Sequence, residues 1–504
     1  MEITRIFPNN RKYLAMSKTA SIISNGIIVL VGKLSCNILS FLTIMYVARC
    51  IGAENYGKIS IVFAYIYIFQ SVAQFGIDTV FVREVSRDPE QQDAWFFNAI
   101  CCKLLLAMVA IALSWIVIQF MDYPEEIKKL IILASFSMFF SFHTLIPGIF
   151  QIKLKTLNYV VPDLVIQLIT SSLLFISARN NYPISVIISI QAFCVMPLAI
   201  GYGLAVVRVV QLRFIYMICI DKMLQLLREA LPLFISAIGV TVAMRLDQIF
   251  LYNIASSQSL GIYAAAVKIV EMPNFVPGQI MSVMFPVLSA AFVSSQQEFD
   301  RVSWITYRVM SMTVVPVIIL IFFLSGEIVA MFYGPAFSAA SGPLSILAFS
   351  LIFVFLGSVH SSIILASGLS RYFLLFTIIG GISSIAFYAI LIPVFGITGA
   401  AFASTISYSG LGMLPAFLLI QTRKATFLYY KSIFVVLPAS AAMSLVLYFR
   451  GEGKYAIASI LIALAVYCFM LFLTKTISSS EIDKLVQLFK ECRNNNSKGS
   501  INRG

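Results

Sequence analysis

Four cations stand inside long apolar stretches of the chain: Lys33, Lys103, Arg245 and Lys268. A charged side chain at the centre of a bilayer costs about 2.5–3.5 kcal/mol on insertion scales, so each of these must snorkel, pair or face water. Lys103 lies about seven residues into its stretch, or about 10 Å deep at the helical rise, within the reach of a snorkelling stem. Lys268 precedes Glu271 by one helical turn on the same face, which supplies it with an internal partner. Lys33 is followed by Cys36, Asn37 and Ser40, a polar stripe that belongs against an interior or water rather than lipid. Arg245 is far from both ends of its stretch, and Asp247, two positions on, points to a different face. It is the cation best placed to face a central polar cavity; a buried structural ion pair is the competing reading.

Three acids, Asp163, Asp247 and Glu271, also lie in apolar stretches, and Glu327 stands near the end of another. A carboxylate in apolar surroundings can carry a proton or bind Na⁺. Balancing Lys33, Arg245 and Lys268 is the plainer role for each. A cavity with a cationic lining suits an anionic substrate, and arginine and lysine are natural partners of phosphate. Tyr65, Tyr67 and Phe69 can stack on sugar rings, or pack and face lipid. His143 and His360 sit in separate apolar stretches and read as hydrogen-bonded packing residues. The 8 cysteines show no CxxC and no Cys/His pair at ligand spacing, so neither a metal site nor a disulfide framework is expected.

The elements that hold these residues follow from composition. Of 504 residues, 60% are hydrophobic and 11% charged, against about 25% charged in soluble domains. A water-soluble fold would leave large apolar areas facing solvent, which excludes a soluble enzyme, a nucleic-acid factor and a disordered regulator. An outer-membrane barrel is excluded too, because its strands alternate polar and apolar residues. The net charge of +13 reflects basic residues gathered in cytoplasmic loops rather than a nucleic-acid partner.

Stretches of about 20 apolar residues mark membrane-crossing helices, and the chain offers about fourteen of them. Their limits are 24–47, 59–76, 96–120, 130–150, 159–178, 184–207, 231–254, 262–285, 308–333, 343–366, 372–393, 398–420, 432–449 and 455–474. Connections are short, and no soluble domain fits between spans. With the N-terminus in the cytoplasm, basic residues favour the cytoplasmic side by roughly three to one, which places both termini inside. The first span is too long for a signal-peptide core and reads as uncleaved.

The turn Arg49-Cys-Ile-Gly-Ala-Glu-Asn-Tyr-Gly57 after span 1 is echoed by Asn253-Ile-Ala-Ser-Ser-Gln-Ser-Leu-Gly261 after span 7. A repeat of an even number of helices returns the second half in the same orientation, as two parallel bundles. The expected organisation is a cytoplasmic N-terminal segment (1–23), an N-lobe of helices 1–6 (24–207) and an amphipathic cytoplasmic linker (208–230). A C-lobe of helices 7–12 (231–420), an appended pair 13–14 (421–474) and a cytoplasmic tail (475–504) follow. The linker carries Arg213, Lys222 and Arg228, and the tail has an amphipathic run of Ile482, Leu485, Val486, Leu488 and Phe489. Prolines at 162, 197, 273, 277, 316, 415 and 438 interrupt spans and bend them.

Several stretches resemble a known family. They are Val47–Gly57, Gln74-Phe-Gly-Ile-Asp-Thr-Val-Phe-Val-Arg-Glu84, Leu246-Asp-Gln-Ile249, Gly261-Ile-Tyr-Ala-Ala-Ala-Val-Lys268 and Leu391-Ile-Pro-Val-Phe-Gly-Ile-Thr-Gly-Ala-Ala-Phe-Ala403. Together they resemble the O-antigen flippases (Wzx type), the polysaccharide-transporter branch of the superfamily that also holds the multidrug-exporting MATE proteins. The resemblance implies an all-α polytopic protein with two pseudo-symmetric six-helix lobes. It implies translocation of an undecaprenyl-diphosphate-linked oligosaccharide across the bacterial inner membrane by alternating access. Arg245, Lys33, Lys268 and Lys103 would then line the cavity, and Asp247, Glu271 and Asp163 would serve H⁺ or Na⁺ coupling. A polysaccharide polymerase and a chain-length regulator would be partners beside the membrane lipids, with no nucleic acid, metal or cofactor. The appended pair departs from the twelve-helix pattern of the branch, and fourteen helices occur among lipid II flippases. A MATE-like exporter of cationic drugs is the rival; acids and aromatics would be expected to line its cavity. An integral-membrane polymerase or ligase would carry a large outer loop, which this chain lacks.

Overall fold

The computed structural model describes residues 10–153, 155–210, 218–418, 423–449, 456–474 and 476, with side chains from residue 25 onward for most of these. The N-terminal half comprises α1 (Asn10–Gln74), α2 (Ile77–Arg87), α3 (Gln92–Gln119), α4 (Glu125–Ser135), α5 (Leu145–Ile152), α6 (Leu157–Arg179), α7 (Ile184–Phe193) and α8 (Val195–Val210). The second half comprises α9 (Ile220–Ile254), α10 (Ser257–Glu271), α11 (Phe275–Ser294), α12 (Gln296–Phe332), α13 (Ser341–Ala348), α14 (Ser350–Ala366) and α15 (Ser370–Leu418). Helices α16 (Arg423–Tyr448) and α17 (Ala456–Leu473) complete it. The described residues form helices and short 3₁₀ turns, with no strand among them. Within the membrane only structures that satisfy their own backbone hydrogen bonds are stable, and helices do so without a neighbour.

Among the described residues, 11 helical runs are long and apolar enough to cross a membrane, and Ala458–Leu473 is shorter. The number differs from the fourteen spans read from sequence because two of these runs, Ile28–Arg87 and Arg371–Leu411, each hold two of those spans. Two runs contain glycines outside helical geometry, Gly52 in α1 (φ 80°, ψ 168°) and Gly396 in α15 (φ 56°, ψ −128°). A positive φ is open to glycine at little cost. The chain doubles back at Gly52: Ser40 and Tyr67 line one cavity, yet a straight helix would hold them about 40 Å apart. Other spans are broken in two. Span 8 divides at Met272–Asn274, where Pro273 interrupts the helix, into α10 and α11.

The outer surface is a belt of exposed apolar side chains, among them Ile116, Leu168, Phe434 and Leu461, as lipid contact requires. Inside, a large apolar core runs through both halves, and a second cluster joins Phe81, Trp95, Tyr159 and Tyr202 to Leu226 and Ala230 of α9. That second cluster seats the described part of the linker on the first half. Residues 220–230 continue without a break into α9, anchored because Leu226 and Ala230 bury in the first half. The residues around Arg213 and the amphipathic run Ile482–Phe489 lie outside the described residues. Helices α16 and α17 pack on each other and on α12 through Val436, Met443, Tyr467 and Leu471.

The two halves meet at their echoed turns. A Cβ placed on Gly57 would fall 1.8 Å from the Ser257 carbonyl oxygen, and one on Gly261 would fall 1.8 Å from the Ala53 carbonyl oxygen. The spacing that carries Gly57 onto Gly261 also carries Ala53 onto Ser257, so each contact is the image of the other. Such reciprocity is the mark of a two-fold relation. The same spacing carries Gly52 onto Ser256, and both have the extended ψ that ends one helix and begins the next. Tyr56 widens the contact with its ring 6.2 Å from those of Tyr333 and Phe337.

Candidate functional site

Below this contact lies a cavity of about 300 Å³ between α1, α6, α7, α9 and α10. Arg245 of α9 projects into it, 21% exposed, with Nη1 2.8 Å from Glu271 Oε1. Its guanidinium lies 4.7 Å from the centre of the Tyr67 ring, a cation–π arrangement that holds the charge without neutralising it. Lys268 Nζ stands 3.6 Å from the other oxygen of Glu271. Two cations thus share one carboxylate, and this cluster keeps a net positive charge. Glu271 is the last residue of α10, next to the break at Pro273. Discontinuous helices place such groups at the substrate sites of transporters.

The sequence reading expected Arg245 in a cavity, or else in an ion pair; both hold at once. The expected Lys268–Glu271 contact is present, although Glu271 is divided between two partners. Of Tyr65, Tyr67 and Phe69, the aromatic residues singled out in span 2, Tyr67 faces the cavity. Tyr65 is buried and donates to the Ser114 carbonyl at 2.7 Å, and Phe69 packs on it with ring centres 4.9 Å apart.

Lys33 and Asp163 line a second chamber of about 440 Å³. It shares Gln167, Thr170 and Gln191 with the first, so the two are parts of one polar interior. Asp163 accepts a hydrogen bond from the Tyr202 hydroxyl. The stripe expected on span 1 is matched on α6 by Asp163, Gln167 and Thr170, at the same spacing as Lys33, Asn37 and Ser40. Sequence reasoning passed over the α6 stripe, although that spacing is a legible signal.

Asp247 faces away from Arg245, as their spacing requires. Buried, it accepts from Tyr263 Oη at 2.6 Å, Ser404 Oγ at 3.2 Å and the Gln248 amide at 2.8 Å. It lines a narrow cleft with Glu271 and Asn274. Asn274 Oδ1 is buried there without a partner among the described residues.

Lys103 departs most from expectation. It neither snorkels nor lines either chamber; it is fully buried, with Nζ 2.5 Å from Asp78 Oδ1 and from Thr144 Oγ1, and 3.3 Å from the Ser141 carbonyl. Snorkelling serves a side chain that faces lipid, and this face of α3 meets protein instead. Asp78, in the first turn of α2, is the partner that sequence reasoning did not assign. His143 and His360 are hydrogen-bonded packing residues, through Nδ1 to the Phe140 carbonyl at 2.7 Å and to the Tyr307 hydroxyl at 2.9 Å.

A lipid II flippase, MurJ, in an inward closed conformation superposes with a TM-score of 0.66 at 17% identity, over 88% of this chain and 97% of that one. An inward-facing multidrug-resistance transporter of the MATE family gives 0.64 at 15% identity, over 79% of this chain and 96% of that one. A MOP superfamily transporter from Pyrococcus furiosus, described by the reverse polarity of its binding pocket, gives 0.57 at 14% identity, over 84% and 96%. At these identities the likeness shows the fold. No curated protein matches in sequence. The profile of the polysaccharide biosynthesis protein family matches residues 22–292, more than half of the chain. This multi-pass membrane protein with a MATE-like transporter fold belongs to the polysaccharide biosynthesis protein family.

Proposed function

We propose that the protein is a flippase that carries an undecaprenyl-diphosphate-linked oligosaccharide, an O-antigen or similar repeat unit, across the bacterial inner membrane. The observation that carries this reading is Arg245: a guanidinium at mid-helix, open to the chamber between the halves, with Lys268 beside it. Guanidinium matches phosphate oxygens in pairs. Glu271 occupies both cations while the site is empty, and a diphosphate exchanges for it. The glycan head crosses inside the chambers while the polyprenyl tail stays in lipid, where its apolar surface costs nothing.

Alternating access supplies the motion. The contact of Gly57 with Ser257 and of Gly261 with Ala53 closes one end, which the loop charge bias assigns to the outside. Parting and re-forming such contacts at the two ends in turn carries the head across. Released from Arg245, Glu271 is a carboxylate able to take up H⁺ or Na⁺, with Asp247 across the cleft as a second carrier and Asp163 as a third. Lys33 stands in the second chamber, where Asp163 offsets its charge. Lys103 has no part in this path, because Asp78 and Thr144 hold it in the protein interior. Delivery to a polymerase and a chain-length regulator would follow on the far side.

A MATE-like exporter of cationic drugs is the less favoured reading. The first chamber would need a free acid, whereas Glu271 there stands between two cations. The test is surface polysaccharide in cells carrying Arg245→Ala or Arg245→Lys. Loss with alanine and partial retention with lysine support the reading. Normal glycan with alanine at normal expression removes Arg245 from the site.

A further inference from the structure

The second chamber differs in chemistry from the first. Where Arg245, Lys268 and Glu271 carry charge, the junction of the two chambers is made of neutral groups, Gln167, Thr170 and Gln191. Asn37 adds a further amide just beyond. The side chains of Asn37 and Gln191 make no hydrogen bond with the described residues, and Gln167 makes one long contact, 3.3 Å to Ser171 Oγ. Amides inside a membrane protein that are left without protein partners must bind water or a ligand. Both hydrogen-bond senses are present on each amide. Sugar hydroxyl and acetamido groups also donate and accept, whereas a phosphate only accepts. Lys33 and Asp163 line the same chamber from different helices and carry opposite charges, so this chamber has no net charge to select an acidic group. The two chambers together reach the size range of ligand sites, about 300–1,000 Å³.

We infer that the amide-lined chamber is a glycan subsite: Gln191 and Asn37, with Gln167 and Thr170, read the neutral hexose or N-acetylhexosamine residues attached to the diphosphate. This rests on the flippase reading, because the sugar is placed by its link to a diphosphate held at Arg245. The reducing-end sugar occupies the junction, and the next residue reaches toward Asn37. Recognition here is of neutral sugars generally, since four flexible hydrogen-bonding side chains impose pairing rather than one fixed shape.

The test uses the full-length purified protein and two soluble probes, inorganic pyrophosphate and N-acetylglucosaminyl pyrophosphate, titrated calorimetrically. In the parent the sugar ester should bind about tenfold more tightly than pyrophosphate, the increment expected of one or two neutral hydrogen bonds. In a Gln191→Leu, Asn37→Leu variant the ratio of the two affinities should fall to about one, by the loss of those bonds. Leucine keeps the side-chain bulk, and a monodisperse, cooperatively melting variant shows that folding is intact. A single-substitution pair, Gln191→Leu and Asn37→Leu separately, serves if the double variant misfolds. A ratio near one in the parent, or a ratio that survives loss of the amides, overturns the subsite. An equal weakening of both probes also overturns it, because the amides would then act structurally. Failure of the underlying reading looks different: pyrophosphate would not bind, or would bind Arg245→Ala as well as the parent, and the subsite would fall with it.

Discussion

Placing a side chain at Gly57 should push the two halves apart at the end where their echoed turns touch. A β-carbon there lies 1.8 Å from the Ser257 carbonyl oxygen and 2.8 Å from its carbon, where ordinary contact begins at 3.4 Å. Both contacts are backbone, so no side chain can rotate aside, and the helices must separate by roughly 1.5 Å. Overpacking of this kind costs about 1–3 kcal/mol, and valine belongs at the upper end. That cost falls only on the conformation in which α1 and α10 touch, so the equilibrium between closed and open should move by about 5- to 150-fold. Spin labels at the exposed pair Glu54 and Gln258, images of each other in the repeat, report the separation by pulsed electron resonance. The parent should give a dominant short distance. Gly57→Val should give a longer or bimodal one, and Gly261→Val should do the same through Ala53. Gly278→Ala meets nothing within 4 Å and should leave the distribution unchanged. An unaltered short distance in a folded Gly57→Val protein would refute the claim that this glycine contact closes the chamber.

Other consequences follow from the site. Glu271→Gln frees Arg245 and Lys268 from a partly exposed carboxylate; after allowing for solvent screening the gain is about 1 kcal/mol. Calorimetric titration should therefore show pyrophosphate binding about fivefold tighter than in the parent. Transport by that variant should nonetheless fall, because the group that displaces the diphosphate is gone; faster flux would contradict the exchange. Asp247→Asn should lower flux and alter its response to an imposed H⁺ or Na⁺ gradient, and an unchanged response to both ions would free Asp247 of any coupling role. Lys103→Met leaves Asp78 with Thr144 alone and should destabilise the protein by about 3 kcal/mol, seen as a lower melting temperature in detergent. Asp78→Asn in the same chain should restore part of the loss, and additive effects of the two substitutions would deny the pair.

Much of this was legible in the residues. Apolar runs located the spans because hydrocarbon thickness fixes their length. Arg245 could be singled out because distance from both interfaces leaves a cation few remedies. The Gly57 and Gly261 turns foretold a repeat, but not that each glycine would meet the other half's backbone. That is a long-range contact with no trace in local spacing. Lys103 was misjudged for a related reason. Snorkelling is the remedy for a helix facing lipid, whereas α3 turns Lys103 toward Asp78 and Thr144, and which face meets protein is set by tertiary packing. The α6 stripe of Asp163, Gln167 and Thr170 was present in the spacing and went unread, because neutral amides carry no obvious insertion cost to attract notice. The described part of the linker, 220–230, is two-sided as its composition suggested, with Leu226 and Ala230 buried and Arg228 exposed, but the partner of its apolar face is set by tertiary packing.

The central claim is that Arg245 escorts a diphosphate-linked glycan across the membrane. Reconstitution into liposomes, with a fluorescent undecaprenyl-diphosphate oligosaccharide and an impermeant quencher, measures that passage directly. The parent should equalise the two leaflets. Arg245→Ala should slow the exchange by about 10- to 150-fold, the loss of one charge-assisted contact at about 1.5–3 kcal/mol, and Arg245→Lys should fall between. Exchange by Arg245→Ala at the parent's rate, at equal protein density, would contradict the account.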